Sequence, residues 1–212
     1  MNTHQHTDLL HYPRREELLH ALTHFFGIIL GLFVLVRSVT DPVMLSNAEN
    51  FFSGFCFSLG LLMVYTSSTV YHLATNHQFK LKMKKLDHAS IYVLIAGTYT
   101  PFIIALMQSE KNSSGMIYLA VVWTLAVMGI VFKMMAKKRH LYLSVMSYVA
   151  MGWIAVLIRK ELSLHFSQDL ILWIFLGGFF YTAGVAFYLM KRMSYHHVIW
   201  HLFSCHEFWM VC

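Results

Sequence analysis

The sequence predicts an all-α membrane protein, a bundle of seven transmembrane helices with its N-terminus in the cytoplasm and its C-terminus outside. Three observations carry that expectation. Of 212 residues, 58% are hydrophobic and only 12% charged. The charged share is about half that of a soluble globular domain, which excludes a disordered chain and argues against a soluble enzyme. Long charge-free runs follow one another with short connections, and the basic residues between them fall mostly on one side of the inferred membrane.

Residues 1–17 are polar, with Arg14, Arg15, Glu16 and Glu17 at their end, and form a cytoplasmic tail. They lack the basic-then-apolar layout and small-residue cleavage site of a signal peptide, so the first apolar stretch is expected to stay in the protein. Residues 18–212 then make one membrane domain. Its charge-free runs are Leu18–Val36, Asn50–Phe79, His88–Ser109, Asn112–Phe132, His140–Ile158, Leu170–Met190 and Met193–His206. Six have 19 or more residues, enough to cross about 30 Å of hydrocarbon at about 1.5 Å per residue. The seventh has 14 and spans only if Glu207 lies near the far surface. Gly27 and Gly31 form a GxxxG in the first run, and Gly177, Gly178 and Gly184 thin the sixth, both suited to close helix packing. Pro101 is expected to kink the third.

Orientation follows from the basic residues. Arg14, Arg15, Lys80, Lys82, Lys84, Lys85, Lys133, Lys137, Lys138, Arg139, Lys191 and Arg192 lie on one side; Arg37, Lys111, Arg159 and Lys160 lie on the other. Twelve against four places the N-terminus inside a cell membrane. The net charge of +6 needs no nucleic-acid partner, because a basic inner face opposite anionic lipid accounts for it. Three cysteines without CxxC spacing give neither a disulfide framework nor a thiolate zinc motif, whereas 14 histidines are available.

With that orientation, Glu17, His20, His24, Ser68, His72, Asp87, His197 and His201 all fall in one layer at the cytoplasmic edge. His197 and His201 are i, i+4, a spacing by which one helix offers two imidazoles to one cation, and Ser68 and His72 repeat it. His72, His197 and His201 with one open position describe a catalytic-type Zn2+ site with water as fourth ligand. Asp87 is suited to hydrogen-bond that water as general base or orienter, and Ser68 to bond a ligand imidazole or polarise a substrate carbonyl. Taken singly, each residue has a simpler role: His72 as a snorkelling interfacial group, Asp87 as the N-cap of span three, Ser68 bonded to the carbonyl four residues back. Convergence in the membrane layer favours a site. Glu17, His20 and His24 share a face of span one with Gly27 and Gly31 and support the ligands or the packing, with His24 as an alternative ligand. Replacing Glu17 is expected to matter much less than replacing Asp87. His88 and His196 are read as interfacial.

Several motifs coincide with a known family. They are Glu16-Glu17-Leu18-Leu19-His20-Ala21-Leu22-Thr23-His24, Ser67-Ser68-Thr69-Val70-Tyr71-His72, Leu86-Asp87-His88-Ala89-Ser90-Ile91-Tyr92, Ala96-Gly97-Thr98-Tyr99-Thr100-Pro101-Phe102 and His197-Val198-Ile199-Trp200-His201-Leu202-Phe203. Together, in this order, the chain from about Arg15 resembles the haemolysin III branch of the progestin and adipoQ receptor family. The resemblance implies a seven-helix bundle with an internal N-terminus and zinc on the histidines that match His72, His197 and His201. Asp87 matches the acidic residue near the metal-bound water and Ser68 the serine one turn before the first histidine. Alkaline ceramidases of the wider superfamily carry a similar set, which implies amide hydrolysis of a lipid; the branch name reflects cytolysis, and receptor relatives signal. The chain departs from the family in two places. His20 stands where asparagine is expected, and the sequence after Phe203 is short.

The expected function is a zinc-dependent membrane hydrolase acting on a lipid amide or ester. The alternatives are a pore-forming cytolysin and a non-catalytic sensor or receptor with structural zinc.

Overall fold

The computed structural model describes residues 12–110, 114–136 and 140–204. The expectations for residues 1–11, for Lys111, for Lys137, Lys138 and Arg139, and for the end of span seven from Cys205 lie outside these residues.

Among the described residues the chain is helical, with no β-strand: α1 (Arg14–Thr40), α2 (Ala48–Leu73), α3 (His77–Glu110), α4 (Ser114–Met135), α5 (Leu141–Gly152), α6 (Ile154–Leu157), α7 (Arg159–His165), α8 (Gln168–Leu189) and α9 (His196–Ser204). Asn47 caps α2 by accepting from the Asn50 N–H, and Ser167 caps α8 by accepting from that of Leu170. Five of these helices are long and apolar enough to cross a membrane, and the bent α5–α7 segment makes up to six. The described part of the seventh element, α9, is nine residues long.

The helices do not stop where charge begins. α1 runs past Arg37 to Thr40, and α3 starts at His77, so Lys80–Lys85 are helical rather than a loop. Lysine, glutamine, leucine and methionine are good helix formers, so a charged run leaves a helix intact. Asn76 starts α3, its side chain accepting from the Phe79 N–H at 3.0 Å. At 34 residues, α3 is about 51 Å long by the helical rise, well beyond a hydrocarbon core of about 30 Å. Asp87 therefore sits inside α3 and is not its N-cap. Pro101 does not end this helix.

The fifth span, expected as one helix, is broken. Leu141–Leu157 and Arg159–His165 meet at 52°. The sequence at this bend, around Ile158, holds no proline. A separate interruption at Trp153, between α5 and α6, is made from outside: the Tyr99 hydroxyl of α3 donates to the Gly152 carbonyl at 2.6 Å and accepts from the Ala155 N–H at 2.9 Å, inserting itself into the helical ladder.

α2 packs against both α1 and α3 along most of its length, and glycines set how closely. A Cβ at Gly27 would stand 2.4 Å from the Tyr65 ring, and one at Gly97 would stand 2.7 Å from the Cys56 carbonyl oxygen. Leu30, Val34, Leu61, Val64, Tyr65 and Leu94 fill the α1–α2–α3 seam. A second core, with Tyr92, Ala96, Ile103, Val122, Ala126, Tyr148 and Ile158, joins α3 to α4 and to the α5–α7 segment. The outer surface is apolar. On α1, Phe25, Phe26, Ile29 and Phe33 are exposed while His20 and His24 are buried. That inversion is the arrangement a lipid solvent selects.

Two outcomes follow. In a background without native cysteines, Lys82→Cys should label from the cytoplasmic side and Ser46→Cys from outside; the reverse pattern would overturn the orientation. Gly97→Ala meets rigid backbone and should destabilise by roughly 1–3 kcal/mol, read as a lowered Tm in detergent. Gly152→Ala, where a Cβ meets nothing within 4 Å, should not.

Candidate metal centre

α1, α2 and α9 bring their histidines to one end of the bundle. On α1, Glu17, His20 and His24 recur at i, i+3 and i+7, so burying one turns the others inward. On α9, His197 and His201 stack one turn apart with ring centroids 4.6 Å from each other. α2 contributes His72, whose ring lies 5.3 Å from that of His197 and 5.5 Å from that of His201. One nitrogen from each of His72, His197 and His201 lies within 4.8 Å of the other two. Nitrogens that share a tetrahedral ion at Zn–N of about 2.0–2.1 Å stand roughly 3.3 Å apart.

The hydrogen bonds fix which nitrogen each ring offers. His72 Nδ1–H donates to Glu17 Oε2 at 2.6 Å, leaving Nε2 buried with no partner among the described residues. The Thr23 hydroxyl donates to the His20 carbonyl at 2.9 Å, so its oxygen accepts from His201 Nδ1–H at 3.1 Å. That assignment leaves His201 Nε2 with its lone pair. His197 Nδ1 is also buried without a partner. Buried imidazole nitrogens lacking hydrogen bonds are costly, and a cation among them would satisfy several at once. The donor set is all nitrogen, with a carboxylate behind one ring, which suits Zn2+.

Glu17 does more than the sequence suggests. Besides His72, its Oε1 accepts from Lys80 Nζ at 2.9 Å. Lys80 also lies over the Tyr71 ring, 5.0 Å from its centroid. Glu17, His20 and His72 form a second group whose ligand atoms lie within 4.8 Å of one another. Both Glu17 oxygens are already engaged, so this group offers a cation less than the three-histidine one does. His24 joins neither group; it stacks on His201 at 3.7 Å and 17°. His20 is fully buried, 4.5 Å from the His72 ring, 4.7 Å from that of His197 and 5.3 Å from that of His201.

Ser68 and Asp87 stand beside the histidines rather than among them. The Ser68 hydroxyl lies next to the Asp87 carboxylate, and both side chains face the same cavity. Asp87, 13% exposed, also has His88 Nδ1 at 3.6 Å. Ser68, Asp87, His24, His197 and His201 line one cavity, whose remaining wall is largely apolar, with Val64, Leu94, Val145 and Trp200. His72 and His20 are not among its lining residues. His88 also faces this cavity, and His196 is buried at 4% exposure with Tyr12 Oη 3.4 Å from its Nε2, so neither is simply interfacial. Sequence reasoning missed Thr23, Lys80 and Tyr12. Thr23 lies three residues after His20 and one before His24, a weak signal; Lys80 was assigned to a loop and gave none.

A family model described as "Haemolysin-III related" matches residues 12–211. The chain belongs to this haemolysin-III-related family. It is 38% identical over 189 residues to the Hemolysin-3 homolog of Bacillus subtilis (strain 168), covering 89% of this chain and 87% of that protein. It is 31% identical over 189 residues to Hemolysin-3 of Bacillus cereus, covering 89% and 85%. Family membership and the apolar spans together make this haemolysin III relative a multi-pass protein of the cell membrane.

Because Glu17 holds the His72 ring from behind, Glu17→Gln should weaken the affinity of this centre for an added zinc ion by about 10–100-fold, the usual cost of losing such a partner. Competition with a chromophoric chelator measures this. An unchanged affinity would reduce the Glu17 contact to packing.

Proposed function

We propose that the protein is a zinc-dependent membrane hydrolase that acts on a lipid amide or ester. The observation that carries this reading is the Ser68–Asp87 pair opening onto the same cavity as His197 and His201. A structural ion has no use for a carboxylate held beside it by a hydroxyl; a hydrolytic site needs one. His72, His197 and His201 would hold the ion, with Glu17 and Thr23 setting the tautomers of His72 and His201. When bound, zinc supplies a Lewis acid and lowers the pKa of a water it coordinates toward ~7.

Asp87 is the proton acceptor at its carboxylate oxygens. The Ser68 hydroxyl, next to it, would orient the carboxylate. The apolar wall of the cavity admits the hydrocarbon part of a lipid and excludes bulk water, leaving the polar bond to be cleaved near the carboxylate. Substrate approach from the bilayer fits a chain whose surface is apolar over most of its spans.

One observation favours a second reading, a non-catalytic sensor with structural zinc: His20 brings a fourth imidazole close to the three. A third possibility, membrane lysis, rests on the name Hemolysin-3 carried by the B. cereus relative; it leaves the buried imidazoles and the Ser68–Asp87 pair without a role.

Metal analysis of detergent-purified protein followed by a lipid-amide and lipid-ester hydrolysis screen tests the proposal. His72→Ala, His197→Ala and His201→Ala should each lose zinc. Asp87→Asn should keep zinc while turnover falls by ~10²–10⁴, the usual worth of general acid–base help. Zinc-free protein of normal stability would defeat both zinc readings. Zinc-loaded protein without turnover in the screen, with stability lost in the histidine variants, would favour the sensor. Dye leakage from vesicles that survives all four substitutions would favour a pore.

A further inference from the structure

We propose that His20 is a fourth nitrogen ligand, closing the centre formed by His72, His197 and His201 at rest. The inference rests on the zinc reading above and concerns how that site is regulated. His20 is 0% exposed and both its ring nitrogens are buried without hydrogen-bond partners among the described residues. A neutral imidazole has one donor and one acceptor, and leaving both unmade in the interior costs about 1–3 kcal/mol for each. A side chain so placed is poorly explained as packing.

Its surroundings point the same way. The ring lies 4.5 Å from that of His72 and 4.7 Å from that of His197, as close to them as His197 is to His201 at 4.6 Å. A ligand atom of His20 comes within 4.8 Å of those of His72 and Glu17. The donor group of His20 holds His72 but neither His197 nor His201, so His72 is the imidazole the two groups share and His20 would have to turn toward the α9 pair to join them. Tyr12 stands edge-on at 4.8 Å and backs the ring on another side. His24, one turn on and on the same helix face, also has both ring nitrogens buried without partners among the described residues, but it is stacked flat on His201 and joins no donor group, so the ring positions and not the missing partners single out His20.

Four imidazoles complete a tetrahedral shell. The hydrolytic reaction then requires His20 to give way before water or substrate gains the metal. The Ser68–Asp87 side, where His20 is not part of the cavity wall, is the side from which substrate would arrive. A closed resting state would protect the centre from idle turnover in a membrane full of potential substrates.

X-ray absorption and cobalt substitution test this on the full-length protein in detergent. Zinc-loaded wild type should give the scattering of four imidazoles, and His20→Asn, which keeps a polar side chain but falls short of the ion, should give three. The cobalt-substituted wild type should show a visible spectrum indifferent to added azide. In His20→Asn, and in His20→Ala, azide should take the vacated position and shift that spectrum, with metal affinity at least ~10-fold lower. A wild-type centre with three imidazoles and an azide-sensitive spectrum, matched by both variants, would overturn the role of His20 and leave the three-histidine site intact. Wild type that binds neither zinc nor cobalt at one ion per chain would overturn both. Melting temperatures of the two variants, measured alongside, separate ligand loss from unfolding: a variant that is folded and spectrally identical to wild type counts against the proposal.

Discussion

A carboxylate inside a membrane protein is tolerated only with partners, and Glu17 has two, His72 on α2 and Lys80 on α3. α2, between α1 and α3, packs against both along most of its length. Removing the carboxylate would strand Lys80, which is 8% exposed, and release the His72 ring. Because Glu17 must face inward, His20, His24, Gly27 and Gly31 face inward too, at i+3, i+7, i+10 and i+14. The glycines then let Tyr65 and Leu62 of α2 come close. One buried ion pair thus sets the rotation of α1, the seam it packs into, and the tautomer of a histidine that faces the centre.

α2 carries the arrangement one step further. Ser68 and His72 are one turn apart, and on an isolated helix they would share a face. In the bundle they part company: His72 reaches α1 through Glu17, while Ser68 faces the cavity that Asp87 of α3 also lines. α2 lies between those two helices, so a single turn of it presents an imidazole to the donor group and a hydroxyl to the cavity. The acid and the donor cluster are consequently neighbours with separate hydrogen-bond networks, which is what would allow one to change protonation without unseating the other.

Much of this was legible in the sequence because lipid imposes a simple rule, that backbone and charge must be satisfied internally or kept at the ends. Charge-free runs mark the apolar helices, and the i, i+4 spacing of His197 and His201 survives folding unchanged. The rule is silent about helix ends, since Lys80–Lys85 fold as readily into α3 as into a loop. It is silent about breaks made by a neighbour. His140–Ile158 contains no proline to mark its breaks, and the one at Trp153 is made by Tyr99 of α3, 53 residues before Gly152. It is silent, too, about pairing: no spacing links Glu17 to His72, 55 positions away. His196 looks like an interfacial residue beside His197 until α1 and Tyr12 fold over it.

The electrostatics of the proposed centre can be followed one step beyond its ligands. Neutral imidazoles bring no negative charge, so a dication among them would place its full charge in a low-dielectric interior. Glu17 offsets part of it, but Lys80 shares that carboxylate and cancels most of the benefit. The acidic group on the cavity wall is Asp87. Under the proposed function the same residue would be wanted twice, as an anion that offsets the metal and as a proton acceptor in hydrolysis. The two demands are compatible only if protonating Asp87 coincides with negative charge developing on the reacting carbonyl, which takes over the balancing role. That coupling gives a reason for holding Asp87 next to the imidazole cluster but outside it. As a direct ligand it would be committed to the ion and lost as a base.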